Sequence, residues 1–150
     1  MYDRESLLTY DEDPKTGTPL EEELGRIRQE APVTGAVLEE FLKICRIPHG
    51  SGHEECLRDD IKSRLEGMGY VLRTDAAGNL ICDIPAAPGY EAAPLVALQG
   101  HLDMVCAFSE GSGWDPERDP VNAVVDRESA SVPLIRSDGR SSLGADCGIG

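Results

Sequence analysis

The sequence has few aromatic and basic side chains and no long apolar run. No apolar stretch approaches the roughly twenty residues that a bilayer-spanning helix requires, and residues 1–15 carry neither a basic start followed by an apolar run nor a small-residue cleavage site. The formal net charge is -14, from 28 acidic and 14 basic side chains. Nucleic acids and anionic membrane surfaces attract Lys and Arg clusters. We therefore expect no nucleic-acid or membrane partner and no export signal.

Cysteine pairs of the CxxC type are also absent. The five cysteines are odd in number and widely spaced, which fits reduced thiols in a cytoplasmic protein better than a disulfide framework. They are Cys45, Cys56, Cys82, Cys106 and Cys147.

With 150 residues, of which 40% are hydrophobic, the chain has the size of one domain. Residues 1–33 are rich in acidic residues, Thr, Pro and Gly. We interpret them as a mobile extension that contains one short charged helix candidate, Leu20 to Glu30.

Hydrophobic spacing predicts two helices after this extension. Apolar residues recur at helical spacing from Val37 to Cys45 behind a possible Thr34 cap. Ser51 and Glu54 match a capping box at the start of the second helix, which Gly67 and Gly69 end.

Alternating and β-branched segments predict strands in the rest of the chain. Two hairpins are expected, 70–74 with 79–84 around a turn at 75–78, and 123–127 with 132–136. Helices followed by a mixed set of strands predict an α/β fold with a central sheet flanked by helices.

The first candidate site follows an apolar run, Leu95 to Leu98. A run bounded by polar residues predicts a buried strand that delivers His101 and Asp103 to one face at its carboxyl end. A neutral imidazole binds divalent cations, and a neighbouring carboxylate fixes its orientation and tautomer. A histidine satisfied by its neighbours near a sheet edge explains the same pattern.

The second candidate is Asp146, which lies among glycines in the segment 142–150. Glycines allow positive φ and close backbone approach, so this carboxylate could adopt an unusual pose around a ligand. A simple turn accounts for the pattern nearly as well. His49 and the cluster His53, Glu54 and Glu55 are weaker candidates, because HExxH is absent and acidic residues suit a first helical turn anyway.

The two motifs together carry a resemblance. LQGHLDMV (98–105) followed by LGADCGIG (143–150) resembles the aminoacyl-histidine dipeptidases, or cytosol non-specific dipeptidases, of the di-zinc aminoacylase and carboxypeptidase superfamily. The resemblance extends from about Leu38 to Gly150. It includes ICRIPHGSGHEE (44–55), DAAGNLICDIPAAPG (75–89) and DPERDPV (115–121).

The resemblance implies zinc-dependent hydrolysis of dipeptides, of the Xaa-His type and broader, in a protein that is a homodimer at full length. Among the site residues, His101 would bind one zinc and Asp103 would clamp its imidazole during catalysis. Asp146 would bridge two zinc ions and precede a cis peptide. Manganese or cobalt could replace zinc.

The chain departs from the family pattern in two respects. Cys147 occupies the family's Asn position, which puts the metal preference in question. The general base, the remaining metal ligands and the lid or dimerisation domain follow Gly150 in the family. Residues 34–150 are thus expected to be the N-terminal part of the catalytic domain, and the chain alone is expected to be inactive.

Two alternatives from other functional classes stay open at this point. One is a non-catalytic remnant of such a peptidase with at most a binding role. The other is a cysteine hydrolase in which His101 and Asp103 assist Cys147 as the nucleophile.

Overall fold

A computed structural model describes residues 17–128 and 131–144. Within these ranges the chain forms helices and short strands. They are, in order, β1 (Thr18–Pro19), α1 (Leu20–Glu30), α2 (Pro32–Cys45), α3 (Glu55–Gly67), β2 (Leu72–Thr74), β3 (Leu80–Cys82), β4 (Ala123–Asp126) and β5 (Leu134–Ser137). This content agrees with the predicted α/β class. None of the helices in the described ranges is long and apolar enough to cross a membrane.

The first predicted helix forms as α2, but it begins two residues before the expected cap. Pro32 occupies the first turn, where its missing N–H costs no hydrogen bond, and no side chain caps the helix. The expected Thr34 cap is therefore wrong. The helix buries Leu38, Phe41 and Cys45 on one face, as the helical spacing predicted.

The second predicted helix forms as α3, but the capping box does not. The helix begins at Glu55 without a side-chain cap, and Glu54 Oε1 accepts the backbone N–H of Gly52 at 2.6 Å instead. The predicted end at Gly67 is confirmed. Gly69 follows with a φ of 93°, and its N–H donates to the Glu66 carbonyl at 2.9 Å.

The described part of the predicted extension is folded against the rest of the chain. Helix α1 packs on α2, and β1 pairs antiparallel with β4. Leu20 has no exposed surface and belongs to the hydrophobic core. A boundary near residue 33 stays a prediction, but the interpretation as a mobile extension needs correction from Thr18 onward, because an apolar face there is buried. Residues 1–16 lie outside the described residues.

The strands form two separate antiparallel sheets, in the order β1-β4-β5 and β2-β3. Both predicted hairpins are confirmed. In the first, Asp75 Oδ1 accepts the backbone N–H groups of Ala77 and Asn79, each at 2.9 Å, which stabilises the turn. The expected single central sheet is not formed among the described residues.

The apolar run before His101 is the largest departure from the predicted fold. It forms no strand, and Leu95, Val96 and Leu98 are 95%, 80% and 95% exposed. A strand that is apolar on both faces needs neighbouring strands and two covering layers. The described residues provide neither, so the predicted buried strand is absent.

The hydrophobic core lies between the helices and the three-stranded sheet. Its buried members are Leu20, Leu38, Phe41, Cys45, Met104, Trp114, Val121, Ala123 and Val125. Met104 is 2% exposed. It follows the first motif's His101 and Asp103 directly and so anchors that motif to the core.

The described start of the second motif runs beside the first. Ser141 forms an antiparallel bridge with Phe108, and the Ser142 Oγ donates to the Val105 carbonyl at 2.7 Å. Gly144 has a φ of 64°, and a Cβ on it would lie 2.9 Å from Met104 Sδ. Only glycine suits this position, because both the backbone angle and the close approach exclude a side chain.

The buried position of Leu20 predicts that α1 contributes to stability. We expect Leu20→Ala to lower the free energy of unfolding by about 2 to 5 kcal/mol, because it leaves a cavity in the core. Urea denaturation followed by the fluorescence of the single, buried Trp114 measures this. The control is Val33→Ala, at a position that is 80% exposed, with an expected change within about 0.5 kcal/mol. Equal effects of the two substitutions would mean that α1 is a loosely attached extension.

The contact of Gly144 with Met104 predicts a second stability difference. Gly113 has a similar φ of 70° but no neighbouring atom within 4 Å of an added Cβ. Both Gly→Ala variants suffer the backbone strain, whereas only Gly144→Ala also displaces a buried side chain. We expect Gly144→Ala to be the less stable variant by about 1 to 3 kcal/mol in urea denaturation. Indistinguishable midpoints would show that the second motif does not pack on Met104.

Candidate active site

The predicted pair His101 and Asp103 is brought together in the structure. The imidazole Nδ1 lies 3.1 Å from Asp103 Oδ1 and 2.8 Å from the Asp103 backbone oxygen. Both neighbours are acceptors when the carboxyl group is ionised, so Nδ1 carries the proton. A neutral ring in this tautomer has its lone pair on Nε2, which is the form in which histidine binds metal ions.

The second carboxylate oxygen of Asp103 is held by a residue from a different part of the chain. The hydroxyl of Ser51 donates to Asp103 Oδ2 at 2.6 Å. The hydrogen bond from Ser51 and, after it, that from His101 hold the pKa of Asp103 below its ordinary value. Hydrogen bonds to the charged form stabilise it, so Asp103 is a carboxylate at neutral pH.

Backbone pairing fixes Ser51 relative to Asp103. The Met104 N–H donates to the His49 carbonyl at 3.0 Å, and the Ser51 N–H donates to the Met104 carbonyl at 3.2 Å. Gly50 lies between these bonds in a parallel bridge with Met104, and a Cβ on Gly50 would approach Cys106 Sγ to 2.9 Å. The loop that carries Ser51 is therefore joined to the first motif by close backbone contacts.

The pair faces solvent. The side chains of His101 and Asp103 are 48% and 39% exposed. Residues 17–128 and 131–144 contain no group of three or more His, Cys, Asp or Glu side chains that could hold a metal ion. A catalytic zinc usually takes three protein ligands and one water. The described residues thus fit one imidazole ligand with its orienting carboxylate, and a zinc ion here would need further donors.

The side chains of the weaker candidates have other contacts. His49 is 3% exposed, and its Nδ1 is 2.5 Å from the Ile47 carbonyl oxygen. His53 is exposed at the surface, with its Nε2 3.9 Å from Glu117 Oε1. Glu54 accepts a backbone hydrogen bond from Gly52, which gives it a structural contact in the turn before α3.

Asp146 and Cys147 lie outside the described residues, and so does the predicted cis peptide. Their assigned roles stay predictions. The nearest described residue of their motif is Gly144, which packs on the side chain of Met104. The two motifs that the sequence singled out are therefore neighbours in the fold up to that residue.

Ser51 is the site residue that sequence reasoning missed. Its spacing to Glu54 matched a capping box, and that match concealed its contact with Asp103. The two residues are 52 positions apart, so no local pattern connects them. Its place in the resembling segment 44–55 was the one available signal.

Comparisons with known proteins give one related family. No protein-family model matches the chain. The cytosol non-specific dipeptidase of Escherichia coli strain K12 is 38% identical over 110 residues, which are 73% of this chain and 21% of that protein. The crystal structure of aminoacylhistidine dipeptidase from Vibrio alginolyticus matches with a TM-score of 0.68 and 36% identity, over 77% of this chain and 22% of that one.

This chain thus spans about a fifth of the length of the relatives that it matches. The structural match confirms the α/β class. The resemblance inferred from the two motifs is likewise confirmed, and over about three quarters of its length the chain is related to the N-terminal part of the cytosol non-specific, or aminoacyl-histidine, dipeptidases, a family of peptidases.

Proposed function

We propose that this chain supplies part of the active site of a zinc-dependent enzyme that hydrolyses dipeptides, of the Xaa-His type and broader. The observation that carries the proposal is the His101 ring, whose Nδ1 is turned toward Asp103 Oδ1 at 3.1 Å. This orientation directs Nε2 away from Asp103, as a metal ligand requires. The similarity to a dipeptidase over 73% of the chain supports it.

In this proposal His101 and Asp146 hold zinc. Zinc, when bound, polarises the scissile carbonyl and lowers the pKa of a metal-bound water toward neutrality. His101 binds through Nε2, and Asp103 keeps the proton on Nδ1 and increases the basicity of the ring. Asp146 contributes a negative charge that two cations can share. Its support is the family pattern and the packing of Gly144, two residues before it, on Met104.

Donors beyond those that the described residues bring together would come from the part of a dipeptidase that the chain does not match. The exposed apolar run at Leu95 to Leu98 supports this, because such a segment requires covering layers. A dipeptide substrate and a homodimeric assembly belong to that larger unit. A cytoplasmic location is supported by the name of the Escherichia coli relative, and by Cys56, Cys82 and Cys106, which form no disulfide within the described ranges.

The donor count predicts that the 150-residue chain alone is nearly inactive. We expect negligible hydrolysis of Ala-His at saturating zinc, because one imidazole and one bridging carboxylate do not complete a binuclear site. Release of histidine, measured by chromatography with and without a chelator, tests this. Robust turnover that chelators abolish would contradict it. Turnover that survives chelators but is lost on alkylation with iodoacetamide would support the cysteine hydrolase instead.

A chimera tests the activity itself. In it, the 110-residue stretch of the Escherichia coli dipeptidase that matches this chain is replaced by the corresponding residues of this chain. We expect zinc-dependent hydrolysis of Ala-His, and we expect His101→Ala in the chimera to lower kcat/KM by about 100-fold or more through loss of a metal ligand. Asp103→Ala should cost about 10- to 100-fold, as for other carboxylates that orient a metal-binding histidine.

His53→Ala provides the matched control, since His53 is an exposed histidine whose ring lies 3.9 Å from Glu117 Oε1. Its kcat/KM should equal that of the unsubstituted chimera. The proposal fails if His101→Ala and His53→Ala have the same activity in a folded chimera. Metal analysis of each purified protein shows whether lost activity accompanies lost zinc.

A further inference from the structure

Ser51, Asp103 and His101 form a continuous line of hydrogen bonds. The Ser51 hydroxyl lies 2.6 Å from Asp103 Oδ2, and Asp103 Oδ1 lies 3.1 Å from His101 Nδ1. Each carboxylate oxygen thus has a different partner. Ser51 bonds to one carboxylate oxygen and His101 to the other, although Ser51 and Asp103 are 52 positions apart in the chain.

We infer that Ser51 is a positioning residue that orients the Asp103 carboxylate and thereby strengthens the preference of His101 for the Nδ1–H tautomer, which the Asp103 backbone oxygen at 2.8 Å also favours. Rotation of an Asp carboxylate about its last torsion has only broad, twofold preferences. A donor on Oδ2 restricts this rotation and keeps Oδ1 facing Nδ1. Asp103 then favours the Nδ1–H form of the neutral ring, which presents the lone pair of Nε2 to a cation.

The geometry favours this role over a purely structural hydrogen bond within the loop. The same hydroxyl has a second acceptor, the Met104 carbonyl, but that oxygen is 3.4 Å away, against 2.6 Å for Asp103 Oδ2. A hydroxyl has one proton to donate, and the shorter bond to a charged oxygen is the stronger one. The Met104 carbonyl is in any case bonded to the Ser51 backbone N–H, so the loop retains its anchor when the hydroxyl is removed.

The consequence for metal affinity rests on the proposed function, whereas the effect on the tautomer does not. The tautomer of His101 is a property of the metal-free chain. It can therefore be measured on the 150-residue protein itself. A failure of the dipeptidase proposal leaves that measurement intact, and a failure of the Ser51 inference leaves the chimera activity intact.

The test compares Ser51→Thr with Ser51→Val by two-bond ¹H–¹⁵N NMR of the histidine ring, at an alkaline pH where imidazoles are neutral. The two variants have nearly the same shape and differ in the hydroxyl. In the unsubstituted chain and in Ser51→Thr we expect Nδ1–H to be the dominant tautomer of His101, by about tenfold. In Ser51→Val the ratio of Nδ1–H to Nε2–H should fall about three- to tenfold, which is less than the full worth of a hydrogen bond to a charged group, because the Asp103 backbone oxygen still accepts from Nδ1 at 2.8 Å.

Ser142→Ala is the matched control. It removes a hydroxyl that bonds to the Val105 carbonyl at 2.7 Å and to the Ala107 N–H at 3.2 Å, and so loosens the same segment without touching Asp103. Its His101 tautomer ratio should equal that of the unsubstituted chain. A change as large as that of Ser51→Val would assign the effect to general loosening and overturn the inference.

Zinc affinity in the active chimera gives a second readout. Ser51→Val should weaken zinc binding by about three- to tenfold, less than a direct partner of the histidine would, and Ser51→Thr should restore it. The inference is wrong if Ser51→Val and Ser51→Thr give the same tautomer ratio. It is also wrong if His101 of the unsubstituted chain has Nε2–H as its main tautomer. That measurement does not depend on whether any variant folds.

Discussion

The close packing around Met104 is the constraint on which the candidate site depends. Its N–H and carbonyl pair with His49 and Ser51, and its side chain is buried in the core against Gly144. Three segments that are distant in sequence therefore meet at one residue. Asp103 is the residue before Met104, so its position relative to the Ser51 hydroxyl follows from this backbone pairing. The second motif is further joined to the first by the hydrogen bond from the Ser142 hydroxyl to the Val105 carbonyl.

Local features of the fold could be predicted because the forces that determine them act over a few residues. Helical spacing identified α2 and α3, and Gly67 and Gly69 marked the end of α3. The turn chemistry of Asp75 identified the first hairpin. The nearness of His101 and Asp103 was predicted from the alternation of side chains in a strand, and the two residues do meet although no strand forms there. For this pair, the contact itself is as expected.

Features that depend on distant partners could not be predicted. The Ser51 hydroxyl had two possible partners, a nearby helix N–H that would donate to it and a carboxylate 52 positions away that accepts from it. Sequence spacing reveals only the first. Leu20 was assigned to an extension because its segment is strongly charged. The apolar face of that segment nevertheless packs against α2 and belongs to the core. The run from Leu95 to Leu98 has the pattern of a buried strand. Local pattern predicts what such a segment requires, but it cannot show whether the rest of the chain provides it.

Local contacts determine the orientation of the His101 ring, whereas the number of metal donors at the site depends on distant residues. Orientation is complete within the described residues, since the Asp103 carboxylate is bonded on both oxygens and the proton of His101 Nδ1 is directed to it. The set of metal donors is not complete, because a binuclear metal site would require more donors than the described residues bring together. Side chains that are 48% and 39% exposed incur little desolvation before further ligands arrive. In the proposed zinc site, this part of the fold would supply the orientation of one ligand, and further donors would supply most of the affinity for the metal.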